Sequence, residues 1–310
     1  MKRIGDENAR IEKLIPKENG PANDGYILQS GIALSVMFAL FFFIYSHNPC
    51  ILKLELYLTC YVVLLRFKGV LMIKVKNLSK TYKSKDIKAV DDISFTVNDG
   101  EIVGFIGKNG AGKTTTIKML TGILKPDSGK VLINDIDMEE ESLKAKEIIG
   151  YISDNPDMYL KLTGLEFINF MADIYNVDEE KRAERTRFFA REFGIEDVLN
   201  EKMSGYSHGM RQKTMVVAAL VHDPYVWILD EPMVGLDPEA AFKLKTMMRA
   251  HADKGNSVLF STHVLEVAEK LCDKVIIINK GKMLYYGTLD ELKDKYKGET
   301  LEEIFMELTV

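Results

Sequence analysis

Cysteine is scarce in this chain of 310 residues: Cys50, Cys60 and Cys272 are the whole supply. Three thiols with no metal-binding spacing build neither a disulfide framework nor a zinc site, which suits a reducing compartment. A basic excess is missing too, since 41 Lys and Arg stand against 46 Asp and Glu, a formal net charge of −5. That balance argues against a general nucleic-acid binder, which carries a positive footprint. The chain shows no internal repeat. What it has is 46% apolar residues, enough to fill the core of one sizeable domain with an appendage.

The most informative segment is 107–115, Gly-Lys-Asn-Gly-Ala-Gly-Lys-Thr-Thr, which fits the pattern G-x-x-x-x-G-K-[ST] at every fixed position. Residues 101–106 before it are apolar and β-prone, and 116–120 after it have helical character. Strand, loop and helix in that order place several backbone N–H groups at a helix N-terminus, where the dipole favours an anion. The segment therefore predicts nucleoside triphosphate binding by Gly107, Asn109, Gly110, Ala111, Gly112, Lys113, Thr114 and Thr115. Lys113 would reach the β- and γ-phosphates, and the Thr114 hydroxyl would ligate Mg²⁺.

Two further strands end in polar groups. Residues 225–229 read as a buried parallel strand leading into Asp230-Glu231-Pro232, so both acids fall at the C-terminal edge of a sheet, where ligands of open α/β folds bind. Asp230 would hold Mg²⁺ through water, and Glu231 would orient the attacking water. Taken alone, such a pair also reads as a solvated turn. Residues 257–260 form another apolar run ending in Ser261-Thr262-His263, which would bring His263 to the γ-phosphate.

In this order the motifs resemble those of the ATP-binding cassette (ABC) ATPases, over residues 72–310. The resemblance implies a phosphate-loop α/β fold: an ATPase core with a parallel sheet, an antiparallel β subdomain, and an inserted α-helical subdomain at about 155–215. It implies that Tyr82 stacks on adenine, although a strand-end tyrosine would look the same. Gly235-Leu236-Asp237 resembles the loop that crosses between subunits, with Asp237 also capping a helix that Pro238 opens. The family signature Leu-Ser-Gly-Gly-Gln corresponds to Tyr206-Ser207-His208-Gly209-Met210. Ser207 and Gly209 are kept: a hydroxyl for a phosphate oxygen, and a residue without a side chain where an anion comes close. His208 and Met210 depart from the pattern, in a form similar to export-type cassettes. Ser-x-Gly before a helix also reads as an ordinary cap. At 150–156, where the family carries a metal-touching glutamine, this chain has Asp154; a carboxylate ligates Mg²⁺ as well, and a plain turn is the alternative.

The resemblance further implies a working pair, by itself or with a sister cassette, in which each ATP lies between the glycine loop of one chain and the signature of the other. It implies a separate transmembrane permease as partner, export more than import, and a place on the cytoplasmic face of the cell membrane. A soluble cassette ATPase acting on ribosomes or DNA is the competing reading. Strands are expected near 73–75 and 93–97 for the antiparallel part, with core strands and helices alternating over 101–151 and from 225 onward. Amphipathic helices are expected over 162–175 and 179–193, and a tail helix over 301–308. Phe167, Phe170, Met171 and Tyr175 recur at helical spacing, as core or as a groove for a permease helix.

Residues 1–71 do not resemble a cassette. Residues 26–46 include an apolar run of about membrane-spanning length, which suggests a single anchor. It ends in no clear small-residue cleavage site, against a secretory signal. Met72-Ile-Lys-Val-Lys is how such cassettes open, and Lys68-Gly69 is compatible with a purine-rich ribosome-binding sequence, so a misassigned start is the favoured expectation.

Overall fold

The computed structural model describes residues 71–82, 87–157, 159–297 and 299–309. The chain divides into a unit Met1–Val70 and a unit Leu71–Val310. Both expectations for the N-terminal extension, a misassigned start and a single anchor, concern residues outside the described ones, save for Leu71. Among the described residues, no helix is long and apolar enough to cross a membrane.

Two sheets organise the second unit. Strands β1 (Leu71–Tyr82) and β2 (Ile87–Asn98) pair antiparallel. Then come β3 (Ile102–Ile106), β4 (Ser128–Ile133), β5 (Ile136–Asp137), β6 (Ile149–Ile152), β7 (Val226–Leu229), β8 (Ser257–Thr262), β9 (Lys274–Asn279) and β10 (Lys282–Thr288). One sheet has the order β2-β1-β4-β5, and the other β10-β9-β3-β8-β7-β6. In the second, β6, β7, β8, β3 and β9 run parallel, with β10 antiparallel at the edge. Every residue of β3, β7 and β8 is buried, as befits strands covered on both faces.

The sequence-based division needs one correction. Residues 128–137 fall inside the stretch assigned to the alternating core, yet β4 and β5 belong to the antiparallel sheet. The cause is a long-range pairing: β4 lies on β1 so closely that a Cβ at Gly129 would stand 2.4 Å from the Asn77 carbonyl oxygen. β1 and β2 also run to 12 residues each, well past the short runs read as strand, because register shifts and left-handed Asn77 and Asp92 bend the pair without ending it.

The helices are α1 (Lys113–Leu120), α2 (Ser142–Glu147), α3 (Gly164–Ile174), α4 (Glu179–Glu192), α5 (His208–Leu220), α6 (Pro238–Asp253), α7 (Leu265–Leu271), α8 (Leu289–Lys295) and α9 (Leu301–Thr309). Their starts are chemically marked. Thr163 and Glu166 form a reciprocal capping box on α3, Ser207 caps α5, and Asp237 with Pro238 opens α6. One core fills the space between the two sheets, with Ile73, Phe95, Phe105 and Ile276 in it. Another joins the opposite face of the large sheet, through Trp227 and Phe260, to Phe167 and Phe189 of α3 and α4. A third packs α8 and α9 against β9 through Leu292, Ile304 and Phe305. The helical stripe therefore divides: Phe167 is core, Phe170 is exposed, and Tyr175 stacks on His222 with ring centroids 3.6 Å apart.

Candidate active site

β3 delivers the chain to the glycine loop at the C-terminal edge of the large sheet. Gly112 has φ 113, and a Cβ there would lie 2.4 Å from the Ala89 carbonyl oxygen, so β2 presses on the loop from outside. A second brace is the Gly281 N–H, which donates to the Ala111 carbonyl at 2.9 Å. Gly107 is as confined, its Cβ position being 2.7 Å from the Ile278 carbonyl oxygen, whereas around Gly110 the space is open. Asn109 and Gly110 are exposed, Ala111 and Lys113 are buried, and Thr114 and Thr115 are half-buried. Lys113 Nζ donates to the Gly107 carbonyl at 2.6 Å.

From there the ammonium reaches the acidic strand end. Lys113 Nζ lies 3.2 Å from Glu231 Oε1. The contact is an ion pair without hydrogen-bond geometry, since that oxygen is buried and lacks a hydrogen-bond partner. Glu231 Oε2 lies 2.9 Å from His263 Nδ1. Glu231 therefore stands between the loop lysine and the histidine, with φ 47, a left-handed conformation uncommon outside glycine. Ser261 holds it there: its Oγ accepts the Glu231 N–H at 2.9 Å and donates to Asp230 Oδ1 at 2.6 Å.

Asp230 is fully buried, and its other oxygen, Oδ2, has no hydrogen-bond partner. Burial pushes its carboxyl above the usual range, against the Ser261 and Thr114 hydroxyls; the negative charges of Asp154 and Glu231 add to the rise. An unpaired buried carboxylate oxygen beside a threonine hydroxyl is what a hard cation ligated by oxygen needs, so these residues fit Mg²⁺. Among the described residues, no group of three or more His, Cys, Asp or Glu could hold a metal by itself. The remaining ligands of such a cation would be phosphate and water.

Asp154 follows β6, whose Ile152 pairs with Leu229 and accepts the Asp230 N–H at 2.9 Å. The Ser153 hydroxyl steadies it, donating to Asp154 Oδ1 at 3.2 Å. Tyr82 ends β1 with 41% of its surface exposed, as an aromatic platform would.

The signature residues face elsewhere. Ser207 Oγ accepts the Met210 N–H at 3.2 Å, so the capping reading is realised; a capping hydroxyl still has its proton to give. Ser207 and His208 are exposed, while Gly209 and Met210 are half-buried. Among the described residues, no hydrogen bond or ion pair joins 207–210 to 107–115. Instead this stretch packs on the 235–237 loop of its own chain: a Cβ at Gly209 would lie 2.6 Å from the Gly235 carbonyl oxygen, and one at Gly235 would lie 2.1 Å from His208 Cδ2. Lys213 Nζ, 2.7 Å from Asp237 Oδ2, ties α5 to that loop and holds the Asp237 carboxyl below its usual range. Arg211 bonds the Met203 carbonyl at 3.0 Å, the Ser204 carbonyl at 3.3 Å and Asp157 Oδ1 at 2.6 Å.

With this geometry established, comparison with known proteins is decisive. Residues 90–234 match the family described as ABC transporter. Over 238 residues the chain is 33% identical to the ABC transporter ATP-binding protein NatA of Bacillus subtilis, covering 76% of this chain and 97% of that protein. The chain belongs to the ABC transporter ATP-binding proteins. Among solved structures, the cassette matches an ATP-binding subunit of an ABC transporter at 36% identity and a TM-score of 0.73, over 76% of this chain and 99% of that one. It also matches a dimeric cassette in a post-hydrolysis state bound to ADP and Pi, at 26% identity and a TM-score of 0.65, over 70% and 99% of the two chains. The cassette is thus the ATP-binding, ATP-hydrolysing subunit of a membrane transporter, of the kind that dimerises and pairs with a permease. The competing reading, an ATPase acting on ribosomes or DNA, is set aside.

Sequence reading missed Ser261 as the group joining both acids, and Ala89 and Gly281 as braces of the loop. A serine directly after the apolar residues 258–260 of β8 was the available signal for the first. The braces carried none.

Proposed function

We propose that the cassette works in a head-to-tail pair, each ATP lying between 107–115 of one chain and Ser207, His208, Gly209 and Met210 of the other, with Asp237 in the loop between subunits. Tyr82 stacks on adenine. Thr114, Asp230 and Asp154 hold Mg²⁺, which when bound neutralises charge on the β- and γ-phosphates. Lys113 binds the same oxygens, Glu231 orients and polarises the attacking water, and His263 fixes Glu231 and contacts the γ-phosphate.

One observation carries this assignment: Glu231 bridges Lys113 and His263 at 3.2 and 2.9 Å. Lys113 holds Glu231 only through a poorly aligned ion pair, so a γ-phosphate is the better partner for the ammonium. Exchanging one anion for the other frees Oε1 to face water while His263 keeps Oε2 in place. The Ser207 hydroxyl of a second chain supplies the remaining donor, which explains why it faces outward here. Catalysis is electrostatic, with no covalent intermediate.

The permease is a separate chain, and the cassette works at the cytoplasmic face of the cell membrane. The Tyr206 to Lys213 form of the signature and the short tail helix α9 support export. Glu231→Gln tests the assignment. ATP affinity should stay within about threefold, while hydrolysis by the assembled transporter falls by about 100-fold or more. Hydrolysis at near the original rate would remove Glu231 from this role.

A further inference from the structure

By the resemblance, Asp154 stands where a neutral glutamine is expected. Position 154 is exposed, two residues beyond Ile152, which ends β6 and accepts the Asp230 N–H. Its charge is felt at Asp230, which also feels Glu231 beside it. Three carboxylates thus follow the C-terminal ends of the paired strands β6 and β7, against one ammonium, Lys113, already in contact with Glu231. Asp230 Oδ2 is buried there without a partner. An amide at 154 could ligate a cation without adding charge. A carboxylate cannot.

Resting on the proposed phosphate and cation assignments, we infer that Asp154 makes nucleotide binding conditional on the cation: the cassette rejects metal-free triphosphate and admits its Mg²⁺ complex. The physical basis is a balance of like charges. Metal-free triphosphate carries its full negative charge toward three carboxylates, of which Asp230 is buried, Glu231 half-buried and Asp154 exposed, so the repulsion from Asp154 is short-ranged and partly screened. With Mg²⁺ present the same carboxylate becomes a ligand, or a short-range attraction through water, and its sign reverses. Asp154 is therefore a specificity-determining residue for the charge state of the nucleotide, separate from the groups that break the bond.

The test is calorimetric titration of the full chain with the non-hydrolysable analogue AMP-PNP, in EDTA and in excess MgCl₂. Wild type and Asp154→Gln are compared, with Asp154→Asn as a second neutral variant and exposed Glu184→Gln as a charge control. The expected result is about a tenfold gain in affinity in EDTA for both neutral Asp154 variants, no gain for E184Q, and no gain in MgCl₂. Affinity in EDTA equal within twofold for wild type, D154Q and D154N would overturn the inference. A gain of the same size for E184Q would also overturn it, by showing a general charge effect. If wild type binds no analogue even in MgCl₂, the failure lies with the phosphate site itself, and this inference falls with it.

Discussion

At the residue scale, the loop glycines are not equivalent, and the difference is measurable. Gly112→Ala adds a Cβ 2.4 Å from a backbone oxygen at φ 113, so neither steric room nor backbone preference accommodates it. The expected cost is about 3 kcal/mol or more, with loss of nucleotide binding. Gly110→Ala has φ 79 but meets nothing within 4 Å, so about 1 kcal/mol is expected. Denaturant unfolding of both variants checks the ordering; equal costs would mean that Ala89 does not brace the loop. Sequence gave the identity of 107–115 because the pattern is local. It could not rank the glycines, since Ala89 and Ile278 reach the loop from strands far along the chain. The same limit hid Ser261, whose hydroxyl matters only because β7 and β8 are neighbours.

At the element scale, helix starts were legible where capping chemistry is written in adjacent residues, as in Asp237-Pro238. Helical spacing found α3 and α4 within two residues at each end. Strand allocation was less legible, because whether β4 joins one sheet or the other depends on pairing with β1 across about fifty residues. The proposed function adds a second role to the cap that Ser207 forms on α5. Ser207→Ala should lower stability by about 1 kcal/mol, the worth of a lost cap, and also suppress hydrolysis in the assembled transporter. Ser207→Asp should keep the cap and restore stability while hydrolysis stays low, since a carboxylate cannot donate to phosphate and repels it. Unfolding free energies and turnover, measured on both variants, separate the roles. Recovery of turnover in S207D would confine Ser207 to capping.

At the scale of the whole molecule, the proposed pairing makes residues 207–210 and the sheet edge carrying the glycine loop halves of different sites. Specific ATPase activity of the isolated cassette should rise with protein concentration, in direct proportion to it at low concentration where pairs are scarce, so that the total rate becomes second order in protein. Activity per molecule that is constant on dilution, while sedimentation shows monomer, would mean that one chain completes a site. The family and the order of its motifs were readable without structure. The three cores were not, since they are defined by the faces of a sheet whose strand order departs from the sequence order.

Arg211 has a mechanical consequence. A single planar head grips both the turn just past Asp154, through Asp157, and the carbonyls of Met203 and Ser204 leading to α5. Any load that displaces the turn is thereby delivered to the shoulder of that helix without crossing the sheet, and traffic in the reverse direction follows the same strut.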